Sequence, residues 1–335
     1  MNQTVALTPA EAITLVQNAL VASNTSPSNA ALVAEALIGA ETDGQAGHGL
    51  SRVASYCGQA RTGKVNGRAI PRIERVAPSY LAVDAGNGFA YPAFDRLLQP
   101  LADAAAENGI AAAGVARSHH CGQAGRHVEA LADLGCVALL FANTPKAMAP
   151  FGGDAPLFGT NPIAFAAPNG AEPALVVDLS LSKVARGKIM AAGKANKPIP
   201  EGWALDADGQ PTTDPNAALA GSMVPMGDAK GAALAVMVEI LAVSLTGAQF
   251  SWKASSFFEA EGSPPGVGQL MIAIHAERVA GAGFADRMAI LAGAIEAQSG
   301  ARLPGARRLA NRARVASGGL TVPAALIDEI RGLAA

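Results

Sequence analysis

The 335 residues predict an α+β (mixed α/β) protein, on three observations. Helical patterns open the chain, a mixture of strands and helices fills its middle, and helical patterns close it. That order lacks the regular β-α-β-α alternation of a doubly wound parallel sheet. Half of the residues are apolar and 16% are charged, which supplies ample core and argues against disorder. No G-x-G-x-x-G follows a strand, because Gly86-Asn87-Gly88 and Gly281-Ala282-Gly283 both lack the third glycine in register. The P-loop and G-x-S-x-G patterns are missing too.

Each element has its own signal. Thr8-Pro9-Ala10-Glu11 is a capping box with proline at the first helical position. Ile13, Val16, Ala19, Leu20 and Ala22 follow at helical spacing. Ser26-Pro27-Ser28 starts a second helix that runs to about Glu41. The stretch Thr42 to Ser51 is glycine-rich and carries His48; helix resumes near Arg52 and stops around Thr62-Gly63. Tyr80 to Val83 reads as a strand, and Pro92 to Glu107 as a helix ending at Asn108-Gly109. Ile110 to Ala116 is a buried strand that runs into Arg117-Ser118-His119-His120-Cys121-Gly122. A helix over Ala124 to Leu134 precedes a short strand, Cys136 to Ala142. Ile163 to Ala167 and Leu175 to Leu179 are strands, Val184 to Lys194 a helix, and Pro198 to Pro215 a polar loop. The apolar run Gly231 to Ala248 is interrupted by Glu239 and reads as a buried helix, not a membrane span. An irregular loop, Ser251 to Gly268, leads to a strand at Leu270 to His275, and two or three helices finish the chain.

Charge and composition exclude whole classes of partner. Lys plus Arg is 25 and Asp plus Glu 27, so no basic surplus is available for a phosphate backbone, and 4% aromatics make no base-stacking platform. Nucleic acid is therefore not an expected partner. Cys57, Cys121 and Cys136 form neither a disulfide framework nor a C-x-x-C metal pair, which fits a reducing compartment. Met1-Asn2-Gln3-Thr4 has no basic leader region. The expectation is a cytoplasmic protein with no membrane partner.

Polar residues that could carry chemistry are few. His48 stands between two glycines with Arg52 four residues on, so a helix starting there would put both on one face. Such a pair suits a proton donor beside a carboxylate clamp. His127 lies seven residues beyond His120, but Glu129 and Asp133 are poorly placed to complete a metal site, so none is expected. Glycine turns near Gly152, Gly159, Lys230-Gly231 and Arg302-Leu303-Pro304-Gly305 with Arg307 could hold a dinucleotide through amides and cations, or be ordinary turns.

Taken in order, these segments resemble the malate/L-lactate dehydrogenase family of NAD(P)-dependent oxidoreductases, which is unrelated to the Rossmann enzymes. The motifs are Gly47-His48-Gly49-Leu50-Ser51-Arg52, Ser118-His119-His120-Cys121-Gly122, Leu157-Phe158-Gly159-Thr160-Asn161-Pro162, Val177-Asp178-Leu179-Ser180, Ala185-Arg186-Gly187-Lys188, Pro211-Thr212-Thr213-Asp214-Pro215 and Gly227-Asp228-Ala229-Lys230-Gly231. They run from about residue 8 to residue 330. The resemblance implies a non-Rossmann NAD(P)-binding fold with a largely antiparallel sheet and a helical substrate and dimerisation lobe. It implies domains at residues 1–116 with 280–335 and at 117–279, and a homodimer. Its substrates are small carboxylates with a C=O, or in one branch a cyclic C=N, beside the carboxylate, and the cofactor is NADH or NADPH.

By the same resemblance His48 is the proton donor, Arg52 the carboxylate partner, and His120 an acid or base in some members. Thr160, Arg186 and Gly187 fall at substrate positions. His120, Cys121, Gly122, Gln123, Ala124, Asp178, Leu179, Ser180, Lys230, Arg302, Leu303, Pro304, Gly305 and Arg307 fall in cofactor-contacting segments. Two positions depart from the pattern. Gly47 stands where the family usually has serine, so a hydroxyl that would orient the imidazole is missing. Lys188 is the residue type of hydroxy-acid members, where imine reducers carry aspartate, and it joins the catalytic set. The expected reaction is reduction of a 2-oxo acid to a 2-hydroxy acid. The alternative is a cyclic 2-imino-acid reductase acting on Δ1-piperideine-2-carboxylate or Δ1-pyrroline-2-carboxylate.

Overall fold

A computed structural model describes residues 3–334. Residues 1, 2 and 335 lie outside it, and with them half of the segment Met1-Asn2-Gln3-Thr4 and the outer ends of the expected domains. The chain opens with a strand β1 (Thr4–Leu7) and helices α1 (Pro9–Ala22), α2 (Pro27–Thr42) and α3 (Val53–Thr62). In α1 the capping box is complete: the Glu11 amide donates to Thr8 Oγ1 at 3.2 Å, and the Thr8 amide donates back to the Glu11 carboxylate at 2.7 Å. Val16 and Leu20 of α1, Val33 and Leu37 of α2 and Tyr56 of α3 close one core.

The hairpin β2 (Arg72–Ala77) and β3 (Tyr80–Asp84) leads through α4 (Ala90–Asn108) to β4 (Ile110–Ser118), which pairs parallel to β3. Then come α5 (Ala124–Asp133) and the strands β5 (Cys136–Ala142), β6 (Ile163–Asn169) and β7 (Glu172–Leu179). Helix α6 (Arg186–Lys194), short strands β8 (Ala204–Leu205) and β9 (Pro211–Thr212), helix α7 (Pro215–Ala220) and strand β10 (Ser222–Met223) form a small lobe. Helix α8 (Ala229–Glu239) runs into a π-helical turn, Ile240–Ser244, and β11 (Val267–His275) returns to the middle of the sheet. Helices α9 (Ala276–Ala280), α10 (Phe284–Glu296) and α11 (Ala306–Gly318), strand β12 (Leu320–Pro323) and α12 (Ala324–Ala334) complete the chain.

The large sheet has seven strands in the order β2-β3-β4-β11-β5-β6-β7, and every pair except β3–β4 is antiparallel. This is the mixed, largely antiparallel architecture expected. Both faces are buried, as neighbouring residues of β11 show: Met271 packs with Leu97, Val128 and Leu131 of α4 and α5, while Leu270 packs with Val238 and Ala242. The C-terminal segment returns to the first lobe, where β12 pairs antiparallel with β1 and Ile327 and Ile330 enter the core of α1 to α3.

Several expectations differ from what is observed. The boundary placed at residues 116 and 117 falls inside β4, and the sheet takes β2 and β3 from before it. Strands β1, β2, β8, β9, β10 and β12 are not among the expected strands; β2 is an edge strand with a mostly exposed Arg-Ile-Glu-Arg-Val-Ala sequence, and the others have two to four residues each, at or below the shortest run in which alternation can be read. The run after Lys230 is not buried on all sides. Val236, Ile240 and Leu245 point outward at 43%, 51% and 60% exposure, while Glu239, its one charge, points inward at 5%. No helix among the described residues is long and apolar enough to cross a membrane.

Candidate active site

The site forms where the segment between α2 and α3 meets the end of β4. Two 3₁₀ turns, Ala46–His48 and Leu50–Arg52, carry the histidine and the arginine. Glu41, at the end of α2, holds them in place by accepting the Leu50 amide at 2.9 Å. Gly49 is required for that approach, since a Cβ there would lie 2.1 Å from Glu41 Oε2. Arg52 is fixed by a bond from Nε to the Gly47 carbonyl at 2.7 Å, and its guanidinium lies 4.6 Å from the ring centre of Phe258.

Across the cleft, β4 delivers His119 and His120. The His48 and His120 rings stack with centres 5.1 Å apart and planes inclined by 16°. His120 Nδ1 is 2.7 Å from the Tyr56 hydroxyl, which is 3.2 Å from the Tyr91 hydroxyl. Phe257 closes over both β4 imidazoles, at 5.1 Å from His119 and 5.2 Å from His120. The loop bearing Phe257 and Phe258 is tied to α3 and the residues after it. Lys64 Nζ donates to the carbonyls of Ser256 and Glu259 at 2.7 and 2.9 Å, and Gln59 Nε2 donates to the Glu259 carbonyl at 3.0 Å.

Burial sets the protonation of these groups. Loss of solvent, reinforced by the Arg52 charge, pushes His48 down to about 4, and the same causes, with Lys64, push His119 down to about 3. His120 is held well below its ordinary value by burial, by Arg52 and by the two other imidazoles. Burial pushes the Tyr56 phenol up to about 12. The three histidines are therefore neutral at pH 7. His48 Nδ1, Arg52 Nη1, both ring nitrogens of His119 and Gln269 Oε1 are buried with no hydrogen-bond partner among the described residues. Unpaired polar atoms are costly, and so many in one cleft mark a place that a polar ligand completes.

The end of β7 gathers the remaining expected residues. Asp178 accepts the Gly125 amide, at the start of α5, at 2.9 Å, and burial raises its carboxyl against the opposing pull of that amide and of Gln45. The Leu181 amide donates to the Thr160 carbonyl at 2.8 Å, and the Met226 amide to the Leu181 carbonyl at 2.8 Å, which brings Thr160 and the turn before Lys230 alongside. A Cβ on Gly305 would lie 3.3 Å from the Val176 carbonyl, so the 302–307 turn lies against the same strand. The segments 120–124, 178–180, 227–231 and 302–307 are thus neighbours, although long stretches of chain separate them. Cys121, Gly122, Gln123 and Ala124 are buried, and Gln123 Nε2 donates to Asp43 Oδ2 at 2.7 Å. Leu179, Lys230, Arg302, Pro304 and Arg307 are exposed; Ser180 and Leu303 are half-buried. Arg302 precedes α11 and Arg307 lies in its first turn, which has no side-chain cap. A dinucleotide fits this set: the exposed cations suit its phosphates, and the Asp178 carboxylate suits a sugar hydroxyl.

Three expected residues lie on α6, with no hydrogen bond to either imidazole among the described residues. Arg186 is half-buried on α6 and bonds the Leu219 carbonyl at 3.5 Å, while Gly187 and Lys188 are exposed on the same helix. Gly47 is exposed and a Cβ there would meet nothing within 4 Å, so a serine is not excluded by space. His127 is taken up by packing: it stacks on Phe94 at 4.0 Å, with Nε2 2.9 Å from the Cys121 carbonyl oxygen. Sequence reasoning missed Tyr56, Tyr91, Phe257, Phe258 and Lys64. The one available signal was that Tyr56 lies eight residues after His48 and four after Arg52. It also missed the ion cluster joining α2, α5 and α11, in which Arg312 bonds Asp43 at 2.6 Å and Glu129 at 2.8 Å and Arg308 also pairs with Glu129.

The malate/L-lactate dehydrogenase family profile matches residues 7–331. A (2R)-3-sulfolactate dehydrogenase (NADP(+)) of Chromohalobacter salexigens is 53% identical over 324 residues, 97% of this chain and 96% of that protein. Among solved structures, the Δ1-piperideine-2-carboxylate reductase of Pseudomonas syringae pv. tomato superposes with a TM-score of 0.93 at 36% identity, covering 98% of this chain and 99% of that one. A sulfolactate dehydrogenase of Methanocaldococcus jannaschii superposes with a TM-score of 0.89 at 28% identity, covering 98% and 96%.

Proposed function

Because the chain belongs to the malate/L-lactate dehydrogenase family, we propose that it interconverts 3-sulfolactate and 3-sulfopyruvate with NADP(H). The chain is an NAD(P)H-dependent oxidoreductase acting at the carbon beside a carboxylate. The sulfonated substrate and the phosphorylated cofactor are supported by 53% identity, over nearly the full length, to a protein named for both. The observation that carries the chemistry is the pair of unpartnered buried nitrogens, His48 Nδ1 and Arg52 Nη1, in one cleft.

The segments 120–124, 178–180, 227–231 and 302–307 would hold the dinucleotide, whose nicotinamide would supply the hydride chemistry. Arg52 holds the substrate carboxylate through the edge of its guanidinium not engaged by Gly47. His48 handles the proton of the C2 oxygen: neutral, it accepts that proton during oxidation, and charged, it returns it during reduction. Burial first and the Arg52 charge second depress His48, and a carboxylate on Arg52 offsets the second of these, so binding of an anionic substrate favours the protonated donor. Phe257 and Phe258 exclude water from the transfer. Lys188, exposed on α6, is the cation assigned to the sulfonate.

The working unit is a homodimer. Val236, Ile240 and Leu245 make an apolar outward face on α8 and its π turn, and Ile290 and Leu291, 72% and 51% exposed, make another on α10. A second copy of the chain is the occupant these faces fit.

Loss of nicotinamide absorbance tests the reading, with NADH and NADPH crossed against 3-sulfopyruvate, pyruvate, oxaloacetate and Δ1-piperideine-2-carboxylate. NADPH with 3-sulfopyruvate is expected to turn over fastest. Turnover confined to the cyclic imine would assign the chain to the reductase branch, represented by relatives such as one 38% identical over 96% of this chain. Lys188→Ala is expected to raise KM for 3-sulfopyruvate about tenfold or more, the scale of one charge-assisted contact, with KM for pyruvate unchanged. Equal effects on both substrates would remove Lys188 from the sulfonate site.

A further inference from the structure

Two of the three tyrosines of the chain meet beside His120. Tyr56 and Tyr91 are both buried, at 0% and 5% exposure. Their hydroxyls and the His120 ring form one line: Tyr91 Oη to Tyr56 Oη at 3.2 Å, and Tyr56 Oη to His120 Nδ1 at 2.7 Å.

The direction of that line follows from counting protons. Each phenol has one proton to donate. If Tyr91 donates to Tyr56 and Tyr56 donates to a bare Nδ1, every proton in the line has an acceptor. If His120 instead donates from Nδ1, Tyr56 must turn its proton to Tyr91. The Tyr91 proton then has nowhere to go, since its hydroxyl has no other hydrogen-bond partner among the described residues. Buried donors without acceptors are rare in folded proteins. The contact lengths agree, because the shorter one joins Tyr56 to the better acceptor, the ring nitrogen. Burial also keeps both phenols un-ionised, so neither serves as a base.

We propose that Tyr56, oriented by Tyr91, is a positioning residue that fixes His120 as the tautomer with its proton on Nε2. His120 then offers a fixed N–H to an oxygen of the bound substrate, and the transferred proton belongs to His48. Gly122 belongs to the same device: a Cβ there would lie 2.5 Å from Tyr91 Oη, so glycine leaves room for the second phenol. The inference rests on the reading of His48, Arg52 and His120 as the active site, and it divides the labour between the two stacked imidazoles.

The test is the ring-nitrogen NMR spectrum of histidine-labelled protein at pH 7, without ligands, with His120 assigned by its loss in His120→Asn. Wild type is expected to show His120 protonated on Nε2 with a hydrogen-bonded, bare Nδ1. Tyr56→Phe keeps the ring and removes the hydroxyl, and is expected to give a mixture of tautomers. In the same variant kcat should fall about tenfold to a hundredfold, the scale seen for partners that orient metal-ligating imidazoles, with KM for NADPH within about twofold. Tyr91→Phe should keep the Nε2–H tautomer, because Tyr56 can still donate. An Nδ1–H tautomer in wild type, or an unchanged His120 spectrum in Tyr56→Phe, would overturn the proposal. The spectra need no substrate, so they decide the tautomer even if none of the acids above is turned over.

Discussion

At the scale of single residues the cleft is built to keep imidazoles neutral. His48 faces Arg52 and little solvent, and both disfavour a second positive charge. The consequence is directional. In oxidation of the 2-hydroxy acid the free enzyme must present a neutral base, and a group lowered to about 4 is neutral through the whole ordinary pH range. The plot of kcat/KM for oxidation against pH is therefore expected to stay level down to about pH 5, with an acid limb near 4 and not near 6.5. A limb at 6.5 would mean that His48 is solvated in the free enzyme. His48→Ala should lose roughly a hundredfold or more in kcat, the usual share of a positioned acid or base, while still binding NADPH by fluorescence titration. Near-native kcat would move the proton to His120 or to water. His48 and Arg52 were legible in the sequence because a glycine-flanked histidine and an arginine four residues on form a local pattern. Tyr56 was not, because its partner His120 lies 64 residues away.

At the scale of elements, α8 reverses the usual arrangement of an amphipathic helix. Its carboxylate, Glu239, is buried, where it accepts from Asn161 Nδ2 at 3.0 Å and also binds the Ser251 hydroxyl. Beyond Lys230 its outward side chains are apolar. The inward side is explained by what Glu239 secures: Asn161 follows Thr160, and Ser251 begins the loop that carries Phe257. For the outward side we propose a second subunit as the covering surface. Ile240→Asp, at 51% exposure, is expected to halve the mass in light scattering while the melting temperature of the separated subunit stays within a few degrees of the parent's. A wild-type monomer, or a variant of unchanged mass, would place the contact elsewhere. The sequence identified this helix correctly by its apolar run, but one glutamate among apolar residues does not say which side faces the protein.

For the whole molecule, four of the five histidines have a lowered pKa: His119, His120 and His127, which are buried, and His48, which is half-buried. Each is neutral when folded and ordinary when unfolded. The unfolded chain therefore binds more protons than the folded one below pH 6.5. The stability this contributes is complete above 6.5 and is lost progressively as pH falls toward the folded values of about 3 to 4. Glu41, Asp133 and Asp178, whose carboxyls are raised, act in the opposite sense over the carboxylate range and offset part of the loss. Calorimetry is expected to show the melting temperature falling by several degrees or more between about pH 7 and pH 5.5, where the imidazoles dominate. A flat profile there would mean that these rings are charged or solvated in the folded protein.

By itself the sequence determined most helices and central strands, the mixed fold class, and the order of short motifs that places the chain in its family. These depend on local periods, caps and glycines, which act within a few residues. The tertiary structure decided what those motifs share. It set four separated segments around the end of β7, stacked His48 on His120, and brought Tyr56 and Tyr91 to one ring nitrogen. It also recruited β2 and β3 into the sheet and turned the apolar side of α8 outward. Pairings of this kind join residues far apart in the chain, and their energies arise from burial and mutual desolvation, which no local pattern of residue types records.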